Sequence, residues 1–136
     1  MKEITLPATL ENLAPVQAFI EGELEAAGCP MKAMMQISIA VEEIYVNIAR
    51  YAYDPQVGEA TVRCAVGGGP LQVTIQFLDS GKPFDPLARP DADTSLSAEE
   101  RDIGGLGILM VKKSMDDVQY RYKDGCNILT LKKHLT

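Results

Sequence analysis

Glu43 and Asn47 stand one helical turn apart in AVEEIYVNIARYAYDP, residues 40–55, among residues that otherwise belong in a core. With ~100° between successive residues, Met34, Ile37, Val41, Ile44 and Ile48 form one apolar stripe. On the same wheel Glu43 and Asn47 lie about 40° apart at the border of that stripe, with Gln36 and Arg50 beside them and Glu42 on the far flank. The acid and the amide therefore point together toward a half-buried edge. An isolated E-x-x-x-N arises easily by chance on a solvated helix face, so chemistry there requires other groups at the same place.

Two further stretches qualify. In IGGLGILMVKKSMDDV, residues 103–118, glycines precede a helix with Leu106, Met110 and Val111 as its apolar stripe. Glycines at a helix start let the backbone approach a ligand, and the unpaired N–H groups and dipole of the first turn favour phosphate oxygens. A Rossmann fingerprint does not fit, because the preceding TSLSAEERDI is no strand and the third glycine of G-x-G-x-x-G is missing. No P-loop G-x-x-x-x-G-K-[ST] occurs. In LDSGKPFDP, residues 78–86, Asp79 leaves a buried strand where Gly81 permits a sharp turn. Its carboxylate can accept from the amino group of an adenine lying against the sheet, or simply cap the turn.

The elements that must position these residues follow from periodicity and breakers. Glu3 to Leu6 reads as a short strand. Asn12 is the expected N-cap of a helix to about Ala27, with Leu13, Val16, Phe19, Ile20 and Leu24 inward and Gly28 as its stop. A second helix is expected from Pro30 to Tyr53, ended by Asp54-Pro55. Ala60 to Val66 and Leu71 to Leu78 form two antiparallel strands around Gly67-Gly68-Gly69-Pro70, with Val73, Ile75 and Phe77 alternating with polar neighbours. A helix from Gly105 to Ser114 and a hairpin of Asp117 to Lys123 with Asn127 to Lys133 complete one domain. The expected class is α+β, a two-layer sandwich of a mostly antiparallel sheet with helices on one face.

Composition limits the function. A chain of 136 residues, 46% hydrophobic and 24% charged, can bury a real core. No apolar run is long enough for a signal peptide or a membrane span, and a cytoplasmic location is expected. Cys29, Cys64 and Cys126 are widely spaced without a CxxC pair, so reduced, mostly buried thiols are expected rather than a disulfide framework or a zinc site. A formal charge of −6 argues against sequence-independent binding to nucleic acid or to an anionic membrane.

E-x-x-x-N on a helix, D-x-G at a strand end, a loop of about twenty residues and then G-x-G opening a helix: this order resembles the GHKL ATPase family, which unites gyrase and histidine kinases. The phrases AVEEIYVNIARYAY, DSGKPFDP and GGLGILMVKKSMDDV are similar to its anti-sigma-factor serine kinases. The resemblance covers nearly the whole chain and implies a Bergerat-type ATP-binding fold. It implies ATP and Mg²⁺ as cofactors, with Asn47 as metal ligand and Glu43 as general base. Asp79 would read the adenine, Gly81 would let the ring approach, and Gly105, Leu106 and Gly107 would meet the phosphates. Thr130 would bring a hydroxyl near the adenine, and residues 84–104 would form an ATP lid.

This chain departs from the family pattern in two places. Pro83 follows Lys82 where a second glycine often stands, and Tyr51 replaces a His or Lys beyond the motif asparagine. Arg50 is then the nearer cation, available for a phosphate contact or for a surface ion pair with Glu43. The implied partners are a sigma factor and a STAS-type antagonist, and the implied assembly is a homodimer. Two functions stay open: a serine kinase that phosphorylates the antagonist and sequesters the sigma factor, or a non-catalytic ATP-dependent module in the same circuit. A histidine-kinase fragment is disfavoured, because there is no dimerisation helix and His134 lies at the end of a strand.

Overall fold

The computed structural model describes residues 1–88 and 105–135, those at 88, 105 and 106 by backbone only. Most of the expected lid, residues 89–104, lies outside the described residues. Five strands form one sheet: β1 (Lys2–Pro7), β2 (Glu59–Gly67), β3 (Gln72–Asp79), β4 (Asp117–Lys123) and β5 (Cys126–His134). Their order is β1-β2-β3-β5-β4, and every neighbouring pair is antiparallel. Helices α1 (Leu13–Ala26), α2 (Met31–Asn47) and α3 (Gly105–Ser114) are joined so that α2 packs against both of the others. The expected α+β sandwich is the one observed.

Strict alternation builds the sheet's inner face. Ala60, Val62 and Cys64 of β2, Val73, Ile75 and Phe77 of β3, and Leu129 and Leu131 of β5 are buried against Val16, Ile20 and Leu24 of α1 and Ile37, Val41 and Ile44 of α2. The outer face carries mainly polar side chains, among them Thr61, Arg63, Thr74, Gln76 and Thr130. The β4–β5 hairpin turns on Asp124 and Gly125, both at positive φ (54° and 78°), as a two-residue turn with primed geometry requires. All three cysteines are free; Cys64 is buried, while Cys29 and Cys126 are only half-buried.

Helix ends differ from expectation in two places. At the start of α1, Asn12 does not cap the helix through its side chain, because a 3₁₀ turn (Leu10–Asn12) runs directly into it. The Asn12 amide instead donates to Pro7 O at 2.8 Å and ties the turn to β1. The expected stop does hold: Gly28 (φ 74°) donates to Glu25 O and Cys29 N donates to Leu24 O, the pair of bonds that satisfies the last carbonyls of a helix. The second helix is not α-helical to Tyr53. After Asn47 it widens into a π turn, Ile48–Ala52, a local form that commonly marks functional sites.

Tyr45, outside the expected apolar stripe, is fully buried, and its hydroxyl donates to Thr9 O at 2.7 Å with Pro7 O also in range at 3.3 Å. Tyr45→Phe leaves the packing and removes the donor. The expected cost is roughly 1–2 kcal/mol, read as a melting temperature lower by a few degrees. An unchanged melting temperature would show that the bond adds nothing to stability.

Candidate active site

Glu43 and Asn47 sit on the last turns of α2, both half-buried, whereas Glu42 is exposed. The Asn47 amide Nδ2 donates to Glu43 Oε1 at 3.2 Å. An ionised carboxylate only accepts, so this bond commits the NH₂ side of the amide to Glu43 and leaves Asn47 Oδ1 as an outward acceptor. Gly107, in the first turn of α3, lies directly over the acid: a Cβ built there would fall on the Glu43 carboxyl group. Only glycine lets the start of α3 approach so closely. Burial pushes the Glu43 carboxyl above the usual glutamate range, the Asn47 hydrogen bond pulls it back, and the charges of Glu42 and Arg50 act in opposite senses on it.

The second cluster forms where β3 ends. Asp79 is buried, 7% exposed, and Asn127 opposite it on β5 is equally so. Asp79 Oδ1 accepts from Gly81 N at 2.9 Å and from Asn127 Nδ2 at 3.0 Å. Desolvation raises the Asp79 pKa, and those same two hydrogen bonds oppose the rise. The turn after Asp79 is pressed onto the end of the π turn. Lys82 N donates to Ala52 O at 3.0 Å, and a Cβ at Gly81 would overlap the Ala52 carbonyl. Tyr53 adds a clamp, its hydroxyl donating to Glu59 O at 2.6 Å and accepting from Ser80 N at 2.8 Å. One continuous helical segment thus carries Glu43 and Asn47 at one end and supports the Asp79–Gly81 turn at the other.

The structure brings Glu43, Asn47 and Gly107 together in one cluster, and Asp79 and Gly81 in another. Gly105 begins α3. Leu106 follows it in the first turn. Three expectations change. Thr130 is not beside Asp79: it pairs with Gln76 on the sheet's outer face and accepts from Gln76 Nε2 at 3.3 Å, because odd and even residues of β5 point to opposite faces. Arg50 stands exposed on the π turn close enough to influence Glu43, yet it forms no direct ion pair with it. Met110 is 51% exposed, whereas Val111 of the expected stripe is buried, with Ile108 beside it and Met115 just beyond.

Asn127, Tyr53 and Tyr120, whose hydroxyl donates to Asn127 Oδ1, were not expected at the site. For Asn127 a signal existed: if Leu129 and Leu131 face the core, alternation puts Asn127 inward and Thr130 outward. Among the described residues no group of three or more His, Cys, Asp or Glu gathers. A divalent cation held here would meet Asn47 Oδ1, a neutral oxygen of the kind Mg²⁺ accepts beside phosphates and retained water.

An antiparallel sheet backed by helices, with an acid–amide pair under a glycine helix start, defines an ATPase-type nucleotide-binding domain of the α+β class. The chain belongs to the histidine kinase-like ATPase domain family, whose pattern it matches over residues 6–133. It is 30% identical to the serine-protein kinase RsbW of Listeria monocytogenes serovar 1/2a, over 95% of this chain and 84% of that one. It is 28% identical to the serine-protein kinase RsbW of Bacillus cereus, over 96% of this chain and 82% of that one. The fold superposes on the crystal structure of the RsbU and RsbW domains of a Mycobacterium tuberculosis protein with a TM-score of 0.64 at 16% identity. That match covers 99% of this chain and 33% of the longer one.

Proposed function

We propose that this protein is an ATP-dependent serine kinase of the anti-sigma type, one domain that phosphorylates a STAS-type antagonist and sequesters a sigma factor when the antagonist is modified. The observation that carries the proposal is the Glu43–Asn47 hydrogen bond beneath Gly107. It puts a half-buried carboxyl group, a free amide oxygen and the N–H groups of a helix start within one small volume. The family membership and the relatives named as serine-protein kinases support the same reading.

In this reading Asp79 accepts from the adenine amino group, Gly81 lets the ring lie against the sheet, and the backbone N–H groups of Gly105, Leu106 and Gly107 bind phosphate oxygens. A Mg²⁺ held by Asn47 and the phosphates would neutralise charge on the transferring group. The serine Oγ of the antagonist attacks the γ-phosphorus and forms the new O–P bond as the bond to the bridging oxygen breaks and ADP leaves. The serine proton passes to Glu43, whose raised pKa makes it a stronger base near neutral pH than an exposed glutamate. Arg50, without an ion pair to Glu43, is available to a phosphate. Thr130 has no part in this arrangement. We place the protein in the cytoplasm as a homodimer; no helix among the described residues is long and apolar enough to cross a membrane.

The test is transfer of labelled phosphate from Mg·ATP to purified STAS domains encoded beside this gene. Transfer to a serine of one of them, abolished by chelating the metal, is the expected result. ATP binding without transfer to any of them would replace the kinase by a nucleotide-dependent binding module.

A further inference from the structure

Asn127 makes more hydrogen bonds than any role in strand pairing requires. Its Nδ2 donates to Asp79 Oδ1 at 3.0 Å and to Lys82 O at 2.9 Å, with Gly81 O at 3.5 Å. Its Oδ1 accepts from Phe84 N at 3.1 Å and from the Tyr120 hydroxyl. The partners settle which way the amide faces: a backbone N–H can only donate and an ionised carboxylate can only accept, so oxygen must face Phe84 and nitrogen must face Asp79. Both hydrogens and both lone pairs are then in use. Asn127 has nothing left with which to hold a ligand itself, and it acts on whatever Asp79 and the Lys82–Phe84 backbone do.

Asn127 and the Gly81 N–H together commit one oxygen of Asp79. Gly81 N and Asn127 Nδ2 both bond Oδ1, so among the described residues the hydrogen bonds accepted by Asp79 fall on one oxygen. The same amide joins that carboxyl group to the backbone of Gly81, Lys82 and Phe84 in the segment that follows β3.

We infer that Asn127 is the positioning residue for base recognition: by holding Asp79 Oδ1 and the Lys82–Phe84 backbone to one point, it presents Asp79 Oδ2 to the 6-amino group of a purine. This rests on the reading of Asp79 as the adenine acceptor. A residue that acts only through Asp79 must lose its effect when the base lacks the amino group, and also when Asp79 is already replaced.

The experiment compares ATP with purine riboside triphosphate, which has no 6-amino group, by calorimetry on the parent, Asp79→Asn, Asn127→Ala and the double variant. Asn127→Ala is expected to bind ATP on the order of tenfold more weakly, as loss of one charge-assisted hydrogen bond implies, and to bind the analogue as the parent does. In the Asp79→Asn background it is expected to add no further loss. If Asp79→Asn weakens ATP and the analogue equally, or neither, the adenine assignment itself is overturned. If Asp79→Asn weakens ATP selectively and Asn127→Ala weakens both equally, or neither, the positioning role of Asn127 is overturned alone. Should Asn127→Ala not fold, Tyr120→Phe removes one donor that orients the Asn127 amide. It is expected to show the same selectivity for the amino-bearing base to a smaller degree, and equal effects on both nucleotides would count against the inference.

Discussion

Glu43→Ala is expected to lower phosphotransfer to the cognate antagonist by about 10²–10⁴-fold, the usual worth of a positioned general base, while ATP affinity stays within a few fold of the parent. The asymmetry follows from geometry. Glu43 hydrogen-bonds Asn47 and underlies Gly107, so it is close to the place assigned to the γ-phosphate but is not itself assigned a contact to ATP. Asn47→Ala is expected to behave in the opposite way and weaken Mg·ATP binding itself, and the exposed Glu42→Ala to alter neither. The pH profile gives an independent reading. Burial raises the Glu43 pKa, and the base works only when ionised, so parent activity should fall as pH drops through a value above the usual glutamate range. That limb should vanish in the residual activity of Glu43→Ala. Transfer by Glu43→Ala at the parent rate would remove Glu43 from the chemistry.

For Asp79→Asn, the expected result is a protein that melts no lower than the parent without nucleotide yet is barely stabilised by it. Mg·ATP bound only to the folded state stabilises by about 2.7 kcal/mol at a hundredfold excess over its dissociation constant. Asparagine at position 79 offers a partial donor where the adenine amine needs an acceptor, a mispairing that costs about 1–3 kcal/mol and removes most of that gain. The nucleotide-free protein is a different matter. Because burial raises the folded pKa of Asp79 above its unfolded value, the stability its carboxyl contributes is fully present below the unfolded pKa and is lost as pH rises through the folded one. The amide does not ionise, so the variant carries no such loss as pH rises. Asparagine retains an oxygen for Gly81 N and Asn127 Nδ2. Thermal shifts in the parent and variant, with ATP and with GTP, decide the matter: equal ATP shifts in the two proteins, or a GTP shift as large as that of ATP in the parent, would refute the assignment.

Much of this was legible in the sequence because it depends on neighbours two to four residues apart. Alternation in QVTIQFLD placed Val73, Ile75 and Phe77 inward, and helical spacing put Glu43 and Asn47 at one edge with Glu42 opposite. Gly28 ended α1 through backbone freedom that only a local conformation requires. Tertiary structure decided what depends on partners far along the chain. The helix widens at Ile48–Ala52, where Ala52 and Tyr53 meet the turn after β3, about thirty residues away, and no local propensity announces that contact. Arg50 is carried on that widened segment, which a uniform helical wheel cannot place. The partnership of Asn127 with Asp79 depends on the register between β3 and β5, and sliding a strand by one residue would have set Cys126 or Ile128 opposite Asp79 in its place. The closeness of Gly107 to Glu43 likewise belongs to the packing of α3 on α2. Hydrophobic periodicity tells each element which face to bury, but the close approach of two buried faces is set only when they pack together.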